Sequence, residues 1–229
     1  MEHHYYYLVE ILDKMGFGHF GHDSPQVIHS WLVMVILIVG SLLLVKGLKM
    51  IPTKGQNFVE VVLQSLENFM VEITGPEGKA FFPYIATIFL YILVSNLIGL
   101  IPGFISPTAN INTTLSLALC TFVLTHAIGI KYHGAKYIKH FMGPMIALAP
   151  LMFVIEVIGH LARVMSLSMR LFGNIFGKEK LLGILFGLAG LYLAPLPILF
   201  LGILVSFIQA VVFMLLSIMY FAGAMEEAH

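Results

Sequence analysis

Apolar residues run along this chain in long uninterrupted stretches, set apart by short polar segments. Three stretches, 24–45, 80–130 and 181–225, contain no Asp, Glu, Lys or Arg. A helix rises 1.5 Å per residue, so crossing the hydrocarbon of a bilayer takes about 20 apolar residues. The first span is therefore placed at about 27–46, with Trp31 near one interface and Lys46 and Lys49 at the other. A second follows at about 81–101 and a third at about 113–131, joined as a hairpin by the Pro/Gly/Asn-rich "IPGFISPTANINTT". Two longer helices, about 143–192 and 196–224, are separated by "LAPLP" and exceed one perpendicular crossing, which calls for tilt. The fold class expected is all-α. One integral membrane domain over 1–229 would hold about five hydrophobic helices, with a helical hairpin over 143–224.

The segment 52–79 follows a different pattern. Phe58, Val62, Phe69 and Ile73 recur at helical spacing, with Glu60, Gln64, Glu67 and Glu72 mostly between them. It is too charged to cross hydrocarbon, so the spacing predicts an amphipathic helix lying at the membrane surface.

Composition supports the bilayer as solvent: 59% of residues are hydrophobic and only 10% charged, against roughly 25% charged in soluble domains. Formal charge sums to zero, so nothing points to nucleic acid or an acidic substrate as a partner. Cys120 is the single cysteine, which excludes an intrachain disulfide. No cleavable leader is expected, because "MEHHYYYLVEILDKMG" is polar, aromatic and acidic rather than basic then apolar.

Lysines set the expected orientation. The first 26 residues carry one Lys against four acids, whereas Lys46, Lys49, Lys54 and Lys79 follow the first span and Lys131, Lys136 and Lys139 the third. This puts the N-terminal segment 1–26 outside, segment 52–79 on the cytoplasmic side and, after five crossings, the C-terminus in the cytoplasm. Lys178 and Lys180 would then lie toward the outside, against the trend.

Charge inside the apolar runs is where function is sought. Between Phe141 and Gly177 only Glu156, Arg163 and Arg170 are formally charged. Ser166, Arg170 and Asn174 are spaced i, i+4, i+8 and share one helical face. Glu156, 14 residues before Arg170, returns to within about 40° of that face, roughly 21 Å away along the axis. His160 and Arg163 follow Glu156 at i+4 and i+7. A charge at the bilayer centre costs at least ~2.5–3.5 kcal/mol on insertion scales, and such residues usually mark an ion path. Two readings remain open for the arginines: an ion path, or a carboxylate pair that locks helices, with Glu156 as the candidate partner of Arg163. In the last helix Gln209 is the one strongly polar residue at mid-length, and Tyr220 lies within about 20° of it on the helical wheel.

The strings "SLSMRLFGNI" and, about 35 residues later, "IQAVVFMLLSIMY" carry a resemblance, supported by "LIPGF", "PTANINTTLSLAL" and "EVIGHLAR" in the same order. From about residue 80 onward the chain resembles subunit a of F-type ATP synthases. That resemblance implies a non-catalytic stator subunit without cofactor, working in the bacterial plasma membrane against a rotating c-subunit ring. The b-subunit peripheral stalk, the remaining synthase subunits and the lipid bilayer would be its other partners. It implies that Arg170 faces the ring carboxylate and that Asn174 and Gln209 flank it toward the outer half-channel, with Ser166 a turn away. Glu156 would belong to the cytoplasmic half-channel, with His160 placed to buffer it, and Glu179 would relay protons on the outer side. The partner position of Glu179 on the last helix is here Gly202.

The chain departs from the family pattern in three places. Val164 replaces a common proline, so a straighter helix is expected there. The segment "IFGKEK" replaces an Ala/Gly-rich turn, and its Lys178 and Lys180 are candidate ion-pair partners of Glu179. Asn110 stands where many members have an acid. Ideal geometry also puts Glu179 about 180° from Arg170, so a shared site would need a distortion of the helix, for which Gly177 offers a place.

The runner-up is a secondary transporter or channel binding a substrate on the Glu156/Arg170 lane, against which stands the lack of an internal repeat. An intramembrane enzyme has no supporting motif. The histidines His3, His4, His19, His22 and His29 are read as solvent or interface residues, with no metal site assigned. His126, His133 and His140 are spaced by seven and would share a face if helical.

Overall fold

The computed structural model describes residues 25–46, 54–101, 103–134, 149–189 and 196–225. Their regular structure is helical: α1 (Pro25–Lys46), α2 (Lys54–Thr74), a 3-10 turn (Pro76–Phe81), α3 (Phe82–Ile98), a second short turn (Pro107–Ala109), α4 (Ile111–His133), α5 (Ala149–Ala189) and α6 (Leu196–Met225). Among the described residues, five segments have the length and apolarity to cross a membrane: Pro25–Lys46, Pro76–Ile98, Ile111–His133, Leu151–Leu185 and Leu196–Met225. The five expected spans are all present, and the two long ones have 35 and 30 residues. Lys49, Lys136, Lys139, His3, His4, His19, His22 and His140 lie outside the described residues, as does most of the "LAPLP" break.

Between helices in lipid, close packing and hydrogen bonds do the work that burial from water does elsewhere. Helix α6 is the hub, packing against α2, α3, α4 and α5, while α1 touches α3 and the 107–109 turn. Phe213, Ile218 and Phe221 of α6, Ile85 and Ile92 of α3, and Leu171 and Ile175 of α5 are almost fully buried in one core. Side-chain hydrogen bonds stitch the helices at several depths. Tyr84 Oη meets Thr121 Oγ1 at 2.9 Å (α3–α4), Thr114 Oγ1 meets Ser168 Oγ at 3.0 Å (α4–α5), and Ser30 bonds Tyr91 (α1–α3). The outer surface is apolar, with Leu43, Val123 and Phe200 more than half exposed, as a lipid-facing surface should be.

Local chemistry sets the ends of the hairpin. Asn110 takes the N-cap of α4, its side-chain oxygen accepting from Asn112 N at 2.9 Å. Gly103 has φ +90, a left-handed turn residue that a Cβ would strain.

Helix α2 forms where the apolar spacing put it, and one part of it packs into the protein. Met70 is fully buried, and Leu66 and Ile73 pack beside it. Phe58, Val62 and Phe69 from the expected stripe stay exposed at 69%, 36% and 37%. Besides α6, helix α2 packs against the 76–81 turn and α3. Its end is fixed by Lys79 Nζ at 2.7 Å from Glu67 Oε1.

Candidate functional site

Helix α5 carries the candidate residues and is helical without a break from Ala149 to Ala189. Along its axis Glu156 lies about 21 Å before Arg170 and Glu179 about 13 Å after it. The residues therefore separate into three levels, each with different neighbours.

At the middle level Ser166, Arg170 and Asn174 share an exposed face. Arg170 Nη2 donates to Ser166 Oγ at a long 3.5 Å. Asn174 Nδ2 donates to Gln209 Oε1 at 2.7 Å, joining α5 to α6 at the depth of the arginine. Gln209 is buried, and its Nε2 has no hydrogen-bond partner among the described residues. No carboxylate of the described residues lies within ion-pair distance of Arg170. The helix-locking pair is thus not made by this arginine. Gly173 and Gly177 also fall on this face, both exposed, with open space where a Cβ would stand.

At one end, Glu156 pairs with His160 rather than Arg163: Oε1 to Nε2 is 3.3 Å. The i+4 ring reaches the carboxylate, while Arg163 turns toward α6 and sets its guanidinium 5.9 Å from the Tyr220 ring centroid, a cation–π contact. Gln209 and Tyr220 both meet α5, as their shared wheel position suggested. A cavity of about 20 Å³, lined in part by Thr121, Thr125, His160, Arg163 and Tyr220, opens beside them. That is room for about one water. His126 on α4 joins this group, its ring centroid 4.9 Å from that of His160. His133 sits near the same end, with Nε2 3.2 Å from the Ala224 carbonyl.

At the other end Glu179 points away from Arg170, on the inner side of α5, and needs no distortion of the helix. Its Oε1 accepts the Ser106 backbone N–H at 2.5 Å. Space for the carboxyl exists because residue 99 is glycine: a Cβ there would stand 2.7 Å from Glu179 Oε1 and 3.1 Å from Ser106 N. Lys178, expected as a partner of Glu179, spends its ammonium elsewhere. The side chain is buried, and Nζ donates to Asn96 O and Ser206 Oγ, both at 3.0 Å. Gly202 makes way for its stem, since a Cβ at 202 would lie 3.3 Å from Lys178 Cδ.

Sequence reasoning missed Asn96. Fully buried on α3, its amide donates to Ser206 O at 3.3 Å and its Oδ1 accepts from Thr108 Oγ1 at 2.5 Å. Ser106 Oγ continues the network to Thr108 Oγ1 and to Ser95 O, both at 2.8 Å. An asparagine within the apolar run "YILVSNLIGL" is the signal that was available. Asn96→Ala should lower stability by roughly 1–3 kcal/mol through the buried groups it orphans. A lower thermal midpoint of the solubilised complex than for Leu97→Ala checks this.

The described residues contain no group of three or more His, Cys, Asp or Glu arranged to hold a metal. What the geometry offers is a fixed charge at mid-depth and a separate polar cluster toward each end.

Comparison with known proteins agrees with the sequence resemblance. The family model described as ATP synthase A chain matches residues 27–222. The ATP synthase subunit a of Desulfosudis oleivorans is 58% identical over 229 residues, covering all of both chains. That of Syntrophobacter fumaroxidans is 54% identical over 239 aligned positions, again covering all of both. The Geotalea daltonii subunit is 56% identical over 96% of this chain and 94% of its own. With a family model matching most of its length and near-full-length similarity of this order, the chain belongs to the ATP synthase subunit a family.

Proposed function

We propose that this subunit is the stator of the membrane sector, passing protons to and from a rotating c-subunit ring through two offset half-channels. The observation that carries the reading is Arg170. It sits exposed among apolar residues, without a carboxylate partner among the described residues, between clusters that hold Glu156 and Glu179. An intramembrane charge so placed calls for a counter-charge from outside the chain, and a ring carboxylate supplies one.

The two clusters are the inner ends of the half-channels. Glu179 with Ser106 serves the outer path, and Glu156 with His160 and its cavity the cytoplasmic one. Protons entering from outside neutralise a ring carboxylate, which then travels through lipid as an acid. On return, the positive field of Arg170 favours ionisation and the proton leaves. Asn174 and Gln209 hold the outer flank of the arginine, and Ser166 bonds its guanidinium. Each proton is driven by about 2.3 kcal/mol per 100 mV of membrane potential. The N-terminus lies outside and the C-terminus in the cytoplasm of a bacterial inner membrane, and the ring and a b-subunit stalk are direct partners.

The transporter alternative needs Glu156 and Arg170 in one binding site. They stand about 21 Å apart along α5, and Glu156 is held by His160.

Exposed Gly173 and Gly177 allow a ring helix to approach the backbone closely. In a Cys120→Ser background, a Gly173→Cys subunit should form a disulfide with a ring cysteine placed within a turn of the ring carboxylate. ATP-driven pumping should stop on oxidation and return on reduction. No adduct from any position in that turn, in an assembled complex, contradicts the reading.

A further inference from the structure

The register of the α5–α6 hairpin brings Arg163 and Tyr220 together. Asn174 bonds Gln209 at 2.7 Å, and Arg163 sets its guanidinium 5.9 Å from the centroid of the Tyr220 ring. From 163 to 174 on α5 is eleven residues, and from 209 to 220 on α6 is eleven again. Eleven residues make three turns and about 20°, so one antiparallel alignment of the two helices makes both contacts. Tyr220 is half-buried and packs against the core, whereas Arg163 is exposed. The ring is therefore the fixed member of the pair and the guanidinium the movable one.

The choice of partners at this end runs against charge strength. A guanidinium is always charged and forked, which makes it a stronger partner for a carboxylate than an imidazole. Arg163 follows Glu156 by seven residues, about 10.5 Å along the axis and within about 20° of the same face. Yet Glu156 Oε1 meets His160 Nε2 at 3.3 Å, and no carboxylate of the described residues lies within ion-pair distance of Arg163. The contact that accounts for this is the Tyr220 ring, whose π face attracts the cation. His126 of α4 adds a second imidazole, 4.9 Å from that of His160 between centroids.

We propose that Tyr220 is a positioning residue of the cytoplasmic path: its ring holds Arg163 off Glu156 and so keeps that carboxylate paired with an imidazole. The proposal rests on the half-channel reading above. An imidazole exchanges protons near neutrality, so Glu156 beside His160 can take a proton up and pass it on. Tied to Arg163, the carboxylate would face donors that never release a proton, and the path would stall at Glu156.

The test is ATP-driven acidification of inverted vesicles carrying the assembled complex, with co-purification of the ring as the assembly control. Tyr220→Leu and Tyr220→Met remove the π face and keep an apolar side chain, and either carries the comparison if the other fails to assemble. Each should slow pumping roughly tenfold, the size of a partly desolvated cation–π contact. Tyr220→Phe keeps the face and should pump within about twofold of wild type. The decisive step repeats the substitution in an Arg163→Gln background, where there is no guanidinium to swing onto Glu156. Arg163→Gln is expected to retain pumping, and loss of the ring should then change it by less than about twofold, a non-additive pair. A tenfold loss in both backgrounds, a Tyr220→Leu as fast as wild type, or an assembled Arg163→Gln that does not pump overturns the proposal. Failure of the half-channel reading shows separately, as coupled pumping that survives Arg170→Ala.

Discussion

Arg170→Ala is expected to abolish ATP-driven proton pumping while the complex still assembles, and Arg170→Lys should fail with it. The structure gives two reasons to expect assembly. The arginine makes one long bond, to Ser166 at 3.5 Å, and its side chain is exposed rather than part of the core. Its loss therefore leaves no buried group orphaned. The functional loss is large. A unit charge about 4 Å from a carboxylate at an effective dielectric of 20 contributes about 4 kcal/mol, roughly three pKa units at 1.36 kcal/mol each. Under the proposed mechanism, its loss leaves the ring carboxylate protonated where it should release its proton. Lysine restores the charge only in part, because a desolvated ammonium loses its proton far more readily than a guanidinium and can itself hand one across. Acidification of inverted vesicles, with co-purification of the ring as the assembly control, measures both variants.

Gly99→Ala is expected to have the second largest effect. A Cβ at position 99 would come within 2.7 Å of Glu179 Oε1 and of Ser106 Cβ, and within 3.1 Å of Ser106 N. Backbone cannot retreat easily, so the carboxyl is the group that moves, and the Ser106 N–H loses its acceptor. A buried donor left without one costs about 1–3 kcal/mol, and Glu179 leaves its place on the outer path. Pumping should fall roughly ten- to a hundred-fold, as that energy converts at 1.4 kcal/mol per decade. Glu179→Gln alone is the comparison, since it keeps the bond to Ser106 and removes the titratable group. A Gly99→Ala complex that pumps at the wild-type rate sinks the assignment of Glu179 to the path.

Much of the architecture was legible because lipid imposes a length rule. The spans at 27–46, 81–101 and 113–131 appear as Pro25–Lys46, Pro76–Ile98 and Ile111–His133. The Ser166–Arg170–Asn174 lane was equally readable, because i, i+4 spacing fixes a face whatever surrounds it. Pairing between helices was harder. Glu156 had two cationic candidates, and only the fold shows Arg163 drawn to Tyr220 while His160 takes the carboxylate. Lys178 looked like a partner of its neighbour Glu179, but its true acceptors lie 82 and 28 residues away in sequence. His29 reads as an interface residue, yet it is fully buried beside Phe104, ring centroids 5.8 Å apart. That burial depends on the loop that carries Phe104, which no local pattern predicts. On α2 the amphipathic spacing located the helix, while the packing of Leu66, Met70 and Ile73 into the core depends on neighbours that no local pattern names.

The most direct test of the account is passive proton conduction through the membrane sector stripped of its catalytic head, in vesicles under an imposed potassium diffusion potential. Wild-type and Arg170→Ala complexes are compared with a pH-sensitive dye. If Arg170 is the barrier between two half-channels, its removal abolishes coupled pumping and raises conduction that no longer requires the ring to turn. Coupled pumping at the wild-type rate in Arg170→Ala, with no added leak, would contradict it.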